Sequence, residues 1–277
     1  MTKSTAIKTK DTSNEISTEI DLGNSGSGFE DADQDSYAIP FLRPLQKMSP
    51  QVDEADGAYI EGAKPGMFFN TVTQELYDGK NGIYILPCAF QRKFLQWAPR
   101  DGDGGLKGTY TVDEVARMEQ EGGIASDPDT GRLYVPADGV SGYNDKKCDK
   151  ITDTRNHFCI LYDPENEILE QVLISLSSTQ IKKSKALMSM LSNAKVKQNG
   201  KLQTPPTWMN IIKMTSVPES NDQGSWHGVK FGRGDVKFIT DASIFEVGKE
   251  FHESVRAGET EVDFSKVNDE PKKDEGF

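Results

Sequence analysis

One stretch of the chain interleaves aromatic and basic side chains, a combination that suits single-stranded nucleic acid. Unpaired bases stack on exposed aromatic rings, while lysine and arginine contact the phosphates. In a β-strand, alternate side chains point to opposite faces, so Phe90, Arg92 and Phe94 would share one face. Lys93 and Trp97 would share the other face, and burial in a core is an equally good interpretation of the rings. The candidate binding residues of this stretch, 90–100, are Arg92, Lys93, Phe94, Trp97 and Arg100.

A second basic segment, residues 171–218, contains seven lysines and no aspartate or glutamate. The ordinary interpretation of a lysine run is a solvated helix face. Solvated faces usually mix both signs of charge, however, so a long segment without acids also favours a surface for phosphate. Its turn sequence Asn199-Gly200 leads into Trp208, as in the loops that clamp a strand in oligonucleotide-binding barrels. The candidate binding residues are Lys182, Lys183, Lys185, Lys195, Lys197, Lys201, Trp208 and Lys213.

The carboxylate motifs predict turns better than they predict catalysis. Asp129-Thr130-Gly131 matches the short signature of aspartic proteases, but those enzymes need two copies to share a proton, and this sequence has one. A hairpin turn into the segment 132–135 is the better interpretation. A magnesium-dependent nuclease is a weaker alternative, because carboxylates could hold Mg²⁺ but these loops are glycine-rich and unanchored. Its carboxylates would be Asp101, Asp103, Asp127 and Asp129.

Three cysteines and one histidine are enough in number to supply four zinc ligands, but their spacing matches no short zinc motif. They are Cys88, Cys148, His157 and Cys159. A free cysteine is commonly a small core residue, and His157 and Cys159 alternate onto one face of a predicted strand. We therefore expect no metal, no cofactor and no enzymatic activity. The few scattered cysteines also favour a reducing compartment over a disulfide-stabilised protein.

The net charge of −12, from 32 basic and 44 acidic residues among 277, argues at first against a phosphate-binding surface. The acids are not spread evenly, because residues 11–35 hold eight acids and no lysine or arginine. Residues 259–277 hold seven acids and three lysines. Both segments lack the apolar residues needed for a core, so we expect disordered segments at 1–36 and 259–277. The body between them is nearly neutral, and the acidic tails could compete with DNA for it.

The body, residues 37–258, is predicted to be rich in short strands separated by Gly, Asn, Asp and Pro, which is typical of a barrel or sandwich. No stretch approaches the roughly 20 apolar residues of a membrane helix, so we expect no membrane partner. Pro87 indicates an edge strand or a bulge. The strand candidates are 66–73, 83–86, 90–97, 132–135, 157–162, 171–176, 208–217 and 229–239.

Three helices interrupt these strands. The first begins with the capping box Thr111 to Glu114 and ends at Gly122. The second runs from about residue 179 to 193, with Ser177 or Ser178 as its N-cap, and the third covers 241–256. The glycine- and aspartate-rich residues 101–150 are predicted to form a helix-and-hairpin insertion. The fold class that follows is mainly β with α insertions (α+β).

Three segments of the body resemble a family of tailed-bacteriophage proteins associated with single-stranded DNA binding. They are 39–46 (IPFLRPLQ), 59–71 (YIEGAKPGMFFNT) and 94–100 (FLQWAPR). The likeness covers about residues 38–250. It implies an OB-fold-like β-barrel, flanked here by the two tails, that works in phage DNA replication or recombination.

The C-terminal tail carries a second resemblance. An acidic segment closed by an aromatic residue is similar to the tails of bacterial and phage single-stranded DNA-binding proteins. A terminal ring with a free carboxylate fits an apolar pocket edged by arginine or lysine on a partner. The resemblance implies that phage or host replication and recombination proteins bind the last residues, Asp274, Glu275, Gly276 and Phe277.

The leading hypothesis is therefore a non-enzymatic phage protein that coats single-stranded DNA with little sequence preference in the cytoplasm of the infected bacterial host. It could act as a homo-oligomer. The net acidity and the two tails favour an alternative, a virion-associated or host-interaction structural protein without DNA affinity. The two hypotheses differ in whether the chain binds oligo-dT.

Overall fold

The computed structural model describes residues 38–99, 105–163, 165, 168–222, 224–260 and 262–265. These residues form thirteen β-strands, three α-helices and three short 3-10 helices, so the predicted mainly β class is confirmed. The α-helices are α1 (Val112–Gln120), α2 (Ile181–Ser192) and α3 (Ala242–Ala257), and the 3-10 helices are Pro50–Val52, Ser178–Gln180 and Thr207–Met209. The strands are β1 (Leu42–Pro44), β2 (Phe68–Asn70), β3 (Leu76–Tyr77), β4 (Ile83–Trp97), β5 (Leu106–Tyr110), β6 (Ala125–Ser126), β7 (Leu133–Val135), β8 (Asp149–Asp163), β9 (Ile168–Ser177), β10 (Val196–Gln198), β11 (Lys201–Gln203), β12 (Ile212–Asn221) and β13 (Gly224–Gly232).

The main sheet has eight strands and curls into a half-barrel. Its order is β13-β12-β4-β8-β7-β6, with β5 also paired to β4 and β9 also paired to β8. All of these pairs are antiparallel. A second sheet holds β1, β2 and β3, and β10 and β11 form a two-stranded hairpin. Antiparallel neighbours can be joined by tight turns, which explains why the strand-forming segments alternate with turn residues.

The two longest strands, β4 and β8, form the centre of the main sheet and pair along nearly their whole length. The register shifts between Pro87 and Ala89, which lie opposite Cys159 and Phe158. This shift is the bulge that Pro87 predicted, and the extra residue without a partner is Cys88, directly after the proline. The alternative of an edge strand also holds locally, because β12 pairs only with residues 83–85 of β4 and β5 only with residues 94–97, so that at Pro87 the strand pairs with β8 alone.

Each face of the sheet is covered by a different helix. On one face, Leu187 and Leu191 of α2 pack against strand residues that include Cys159 and Ile174. We call this the α2 face. On the other, the α3 face, Phe251 and Val255 of α3 pack against Leu86, Phe158 and Ile160. A third core lies beneath α1, where Val115 packs with Phe94 and Ile151.

The helix ends follow the local sequence rules in two of three cases. At the start of α1, Thr111 and Glu114 form both bonds of the predicted capping box. At the start of α3, the side chain of Asp241 accepts bonds from the backbone of Ser243 and Ile244. The predicted serine cap of α2 is wrong. A 3-10 helix precedes α2. The N-cap residue of α2 is Gln180, and its side chain makes no capping hydrogen bond.

The segment predicted as an insertion, 101–150, contributes β5, α1, β6 and β7 at one end of the long strands. The predicted disordered segment 1–36 lies outside the described residues, as do the residues from 266 on. Within the predicted C-terminal tail, Phe264 is only 9% exposed and packs into the core of the α3 face. None of the helices in the described part of the chain is long and apolar enough to cross a membrane.

Candidate nucleic-acid interface

The bulge at Pro87 decides which side chains of β4 reach which face. Before the bulge, Ile85 and Pro87 lie opposite Leu161 and Cys159, on the α2 face. After the bulge, the even-numbered residues take that face, so Phe90 lies opposite His157. A one-residue slip in a strand exchanges the faces of every later side chain. The bulge therefore settles the parity that the sequence pattern left open.

Phe94 is buried although it lies on the same face as Phe90. It is 5% exposed and belongs to the core beneath α1. Arg92 lies over the Phe94 ring, with Cζ 4.8 Å from the ring centroid. The ring has no free face for a base, but its cation–π contact helps to orient the Arg92 guanidinium.

The two tryptophans that the sequence predicted as binding residues, Trp97 and Trp208, also pack against a core. Trp97 is half-buried against the core of the α3 face. The Trp208 ring lies 4.7 Å from the ring of His252 and 5.9 Å from that of Phe245. It also packs tightly over Gly248, where a Cβ atom would meet the Trp208 side chain at 2.9 Å. These packed indoles contribute more to folding than to a surface for bases.

The α2 face carries two arginines that share one aspartate. They lie between the residues that α1 covers and the residues that α2 covers. Arg92 Nη2 donates to Asp153 Oδ2 at 2.7 Å, and Arg92 Nε donates to Oδ1 at 3.0 Å. Arg155 makes the same pair of bonds, each at 3.0 Å. We call these three residues the arginine strip. Two cations against one anion leave it with one uncompensated positive charge.

The charges of the arginine strip are those of two arginines that a shared counter-ion, Asp153, holds in position. Burial alone would raise the pKa of Asp153, but the hydrogen bonds from Arg92 and Arg155 outweigh burial and lower it. The carboxylate therefore stays ionised at neutral pH. The side chains of Arg92 and Arg155 are 35% and 16% exposed, so neither side chain is fully buried.

Two of the three lysines of α2 are exposed, and the third forms an ion pair that stabilises the fold. Lys183 binds Glu219 at 2.6 Å and so anchors α2 to β12. Lys182 and Lys185 are exposed. Lys185 and Met188 are three residues apart and share a side of the helix. Because Met188 lines a small cavity together with Phe90, Lys185 lies on the flank of α2 nearer Phe90.

The hairpin of β10 and β11 presents the next cluster of positive charge. Lys195, Lys197 and Lys201 are all exposed, and Lys195 Nζ lies 2.5 Å from Thr204 Oγ1. We call these three residues the lysine hairpin. Asn199 and Gly200 both have positive φ, at 50° and 80°, which the tight turn requires. No carboxylate in the described residues pairs with these three lysines within 4.0 Å.

A cavity of about 30 Å³ shows how these parts adjoin. Phe90 lines it from β4, Leu191 from the end of α2, and Thr207 from the chain that follows the hairpin. The chain segments that lead into and out of the lysine hairpin therefore reach the neighbourhood of Phe90. His157 also lines the cavity, and its Nε2 lies 2.8 Å from Ser184 Oγ. Burial lowers the pKa of His157 to about 4, with a smaller effect of Arg155, so the ring is neutral at pH 7.

The remaining candidates lie elsewhere or outside the described residues. Lys213 faces away from the arginine strip, on the α3 face, where its Nζ lies 5.9 Å from the ring centroid of Tyr84. Lys93 also points to the α3 face, because its neighbours on β4 alternate with it. Arg100 and the tail residues, Asp274, Glu275, Gly276 and Phe277, lie outside the described residues.

The cysteines among the zinc candidates lie in different parts of the fold. Cys88 belongs to the core of the α3 face, Cys159 to that of the α2 face, and Cys148 lies near Gly142. Burial raises the pKa of Cys88 to about 12 and also raises that of Cys159. Among the described residues, no group of three or more His, Cys, Asp or Glu side chains could hold a metal ion.

The aspartate motifs form a turn. Asp127 Oδ1 accepts a hydrogen bond from the Thr130 backbone at 2.8 Å, and Gly131 has a φ of 67° between β6 and β7. This is the hairpin turn that the sequence favoured over a protease motif. The other two carboxylates of the nuclease alternative, Asp101 and Asp103, lie outside the described residues.

Sequence reasoning missed Phe90, Asp153 and Arg155. Phe90 was part of the aromatic and basic stretch, yet Phe94 and Trp97 were selected as the binding rings. No signal in the sequence separates Phe90 from Phe94, because the two residues have the same type and lie on the same face of the strand after the bulge. Asp153 and Arg155 alternate on one face of β8, but only the pairing with β4 shows that they meet Arg92.

In a comparison with protein-family models, residues 10–261 match a family described as Pam3 phage gp34-like protein. This match spans most of the chain, which therefore belongs to that bacteriophage family. Neither the curated proteins nor the solved structures contain a significant match.

Proposed function

We propose that this member of the phage gp34-like family is a non-enzymatic single-stranded DNA-binding protein. It coats exposed strands with little sequence preference during phage DNA replication or recombination, in the cytoplasm of the infected bacterium. Lysine and arginine contacts to phosphate supply the affinity, and stacking of bases on aromatic rings favours single strands over duplex.

The observation that carries the proposal is the combination of exposed cations with an exposed ring on segments of the chain that adjoin one another. Exposed Lys185 lies on α2, whose Met188 and Leu191 line a cavity with Phe90, the exposed lysine hairpin lies between Leu191 and Thr207 of the same cavity in the chain, and the arginine strip follows two residues further along β4. A cationic surface next to an exposed ring is the combination that non-specific single-strand binding requires. The curled sheet that supports it is also compatible with an oligonucleotide-binding barrel.

The proposal includes two roles for the acidic segments. Acidic chain can occupy the cationic surface when DNA is absent, which makes binding sensitive to competition. The terminal Phe277 can also recruit replication or recombination proteins of the phage or the host, through its ring and its free carboxylate. Both roles rest on the sequence and on its resemblance to known tails.

The test is a titration of fluorescently labelled oligo-dT with the full chain, followed by anisotropy at low and at higher salt. We expect binding that weakens steeply with salt, and much weaker binding to a duplex of equal length. Absence of oligo-dT binding at low salt would refute the proposal. That result, together with recovery of the protein in purified particles, would favour the virion-associated or host-interaction alternative.

A further inference from the structure

Phe90 is unusual among the aromatic residues of this fold. It lies in the part of β4 that pairs only with β8, and it is 36% exposed; within the described residues only Tyr59 among the other aromatics is as exposed. Tyr59 lies in a loop before β2. The Phe90 ring packs against the neutral His157 ring, with centroids 5.1 Å apart, which holds it in place on the sheet.

The surroundings of Phe90 supply cations without a nearby excess of acid. Arg92 is the next residue on the same face of β4, and Arg155 lies directly opposite Arg92 on β8. Asp153 binds both guanidinium groups through paired hydrogen bonds, so their positions are fixed before a ligand arrives. Preorganised cations lose less side-chain entropy when they bind a phosphate.

We propose that Phe90 is a base-stacking platform for single-stranded DNA and that Arg92 and Arg155 bind the phosphate next to the stacked base. The inference rests on the proposed function and names the residues that would make it selective for unpaired bases. Bases of a duplex already stack on each other, so Phe90 could contact them only after unpairing. Arginine suits the phosphate because its planar guanidinium can donate two parallel hydrogen bonds.

The experiment compares two ligands of equal length, oligo-dT and an abasic deoxyribose-phosphate oligomer. In the full-length chain, Phe90→Leu should weaken oligo-dT binding by about 5- to 150-fold, the range expected for loss of one stacked base. Binding of the abasic oligomer should not change, because it has no base to stack. Arg92→Gln should weaken the binding of both ligands, since it removes a contact to the backbone.

Tyr59→Leu is the matched control, because it removes an aromatic ring of the same exposure away from the arginine strip. It should leave both affinities unchanged. A second variant, Phe90→Trp, keeps an aromatic face and should retain oligo-dT binding even if Phe90→Leu lowers the melting temperature.

The outcomes separate this inference from the proposed function. If the wild-type chain binds oligo-dT and Phe90→Leu binds it equally well, the stacking inference is overturned while single-strand binding stands. Equal losses for oligo-dT and the abasic oligomer in Phe90→Leu would also overturn it, because they would indicate a general disturbance of the surface. If the wild-type chain does not bind oligo-dT, both proposals fall.

Discussion

Replacing Lys195, Lys197 and Lys201 of the lysine hairpin with glutamine is the most direct test of how the phosphate backbone is bound. The three side chains are exposed and belong to a hairpin that packs little against the rest of the fold. The substitution therefore removes three positive charges with little expected cost to folding. The turn residues Asn199 and Gly200 are unchanged.

The size of the effect follows from the release of counter-ions. Each phosphate contact to a single strand contributes about 0.7 to the slope of log K against log salt. If each of the three lysines neutralises one phosphate, the slope should become less steep by about 2. At about 0.1 M salt the same loss corresponds to roughly 100-fold weaker binding.

The assay is anisotropy of labelled oligo-dT over a series of salt concentrations, with the wild-type chain measured in parallel. The matched control replaces Lys47, Lys64 and Lys80 with glutamine, since these are exposed lysines outside the acid-free segment. It changes the net charge by the same amount and should leave the slope nearly unchanged. Equal effects of the two triple variants would show that total charge, not the hairpin, controls binding.

Three further predictions concern pH, local charge and the tails. Because His157 is neutral and its folded pKa of about 4 lies below the unfolded value of about 6.5, the unfolded chain binds more protons between these values. The free energy of unfolding should therefore fall by about 3 kcal/mol as the pH drops from about 6.5 to 4, and denaturant titrations of His157→Gln should lack this component. Asp153→Asn removes the anion shared by two arginines and should strengthen oligo-dT binding by about 5-fold at about 0.1 M salt, the effect of one added phosphate contact; weaker binding would mean that holding the arginines in place matters more than their net charge. A chain beginning at Ala38 loses eight acids and three lysines and should bind oligo-dT more tightly in the same assay. A chain ending at Ser265 loses four acids and three lysines, so it should bind oligo-dT only slightly more tightly than the full chain, while pull-down of partners of the terminal phenylalanine is lost.

The strands and helices were largely predictable because local sequence determines them. The capping box at Thr111 and the spacing of apolar residues in α2 and α3 gave their positions within a few residues. The bulge at Pro87 was also predictable, because proline has no N–H for the ladder. The cap of α2 was not, because a 3-10 helix, Ser178–Gln180, joins β9 to α2, and Ser177 is the N-cap of that 3-10 helix instead.

The binding residues were less predictable because burial depends on what packs above each strand. Phe90 and Phe94 have the same residue type and lie on the same face, yet α1 covers Phe94 and leaves Phe90 exposed. Trp208 was selected for its place in a basic loop, but its ring is held between α3 and the neighbouring core. Which ring a helix covers is a tertiary fact that strand parity cannot reveal.

In the fold, one lysine of the acid-free segment 171–218 is paired with an acid outside the segment, and most of the others are exposed without a carboxylate partner among the described residues. The first acid after this segment, Glu219, binds Lys183 and also accepts bonds from Gln180 and Trp226, so one of the seven lysines is committed to holding α2 in place. The exposed lysines of α2 and the hairpin have no such partner among the described carboxylates. At about 0.1 M salt, charges act over about 10 Å, so a bound phosphate responds to its nearby lysines and arginines far more than to distant acids. A net charge of −12 is therefore compatible with phosphate binding, because affinity depends on where the charges lie and not on their sum.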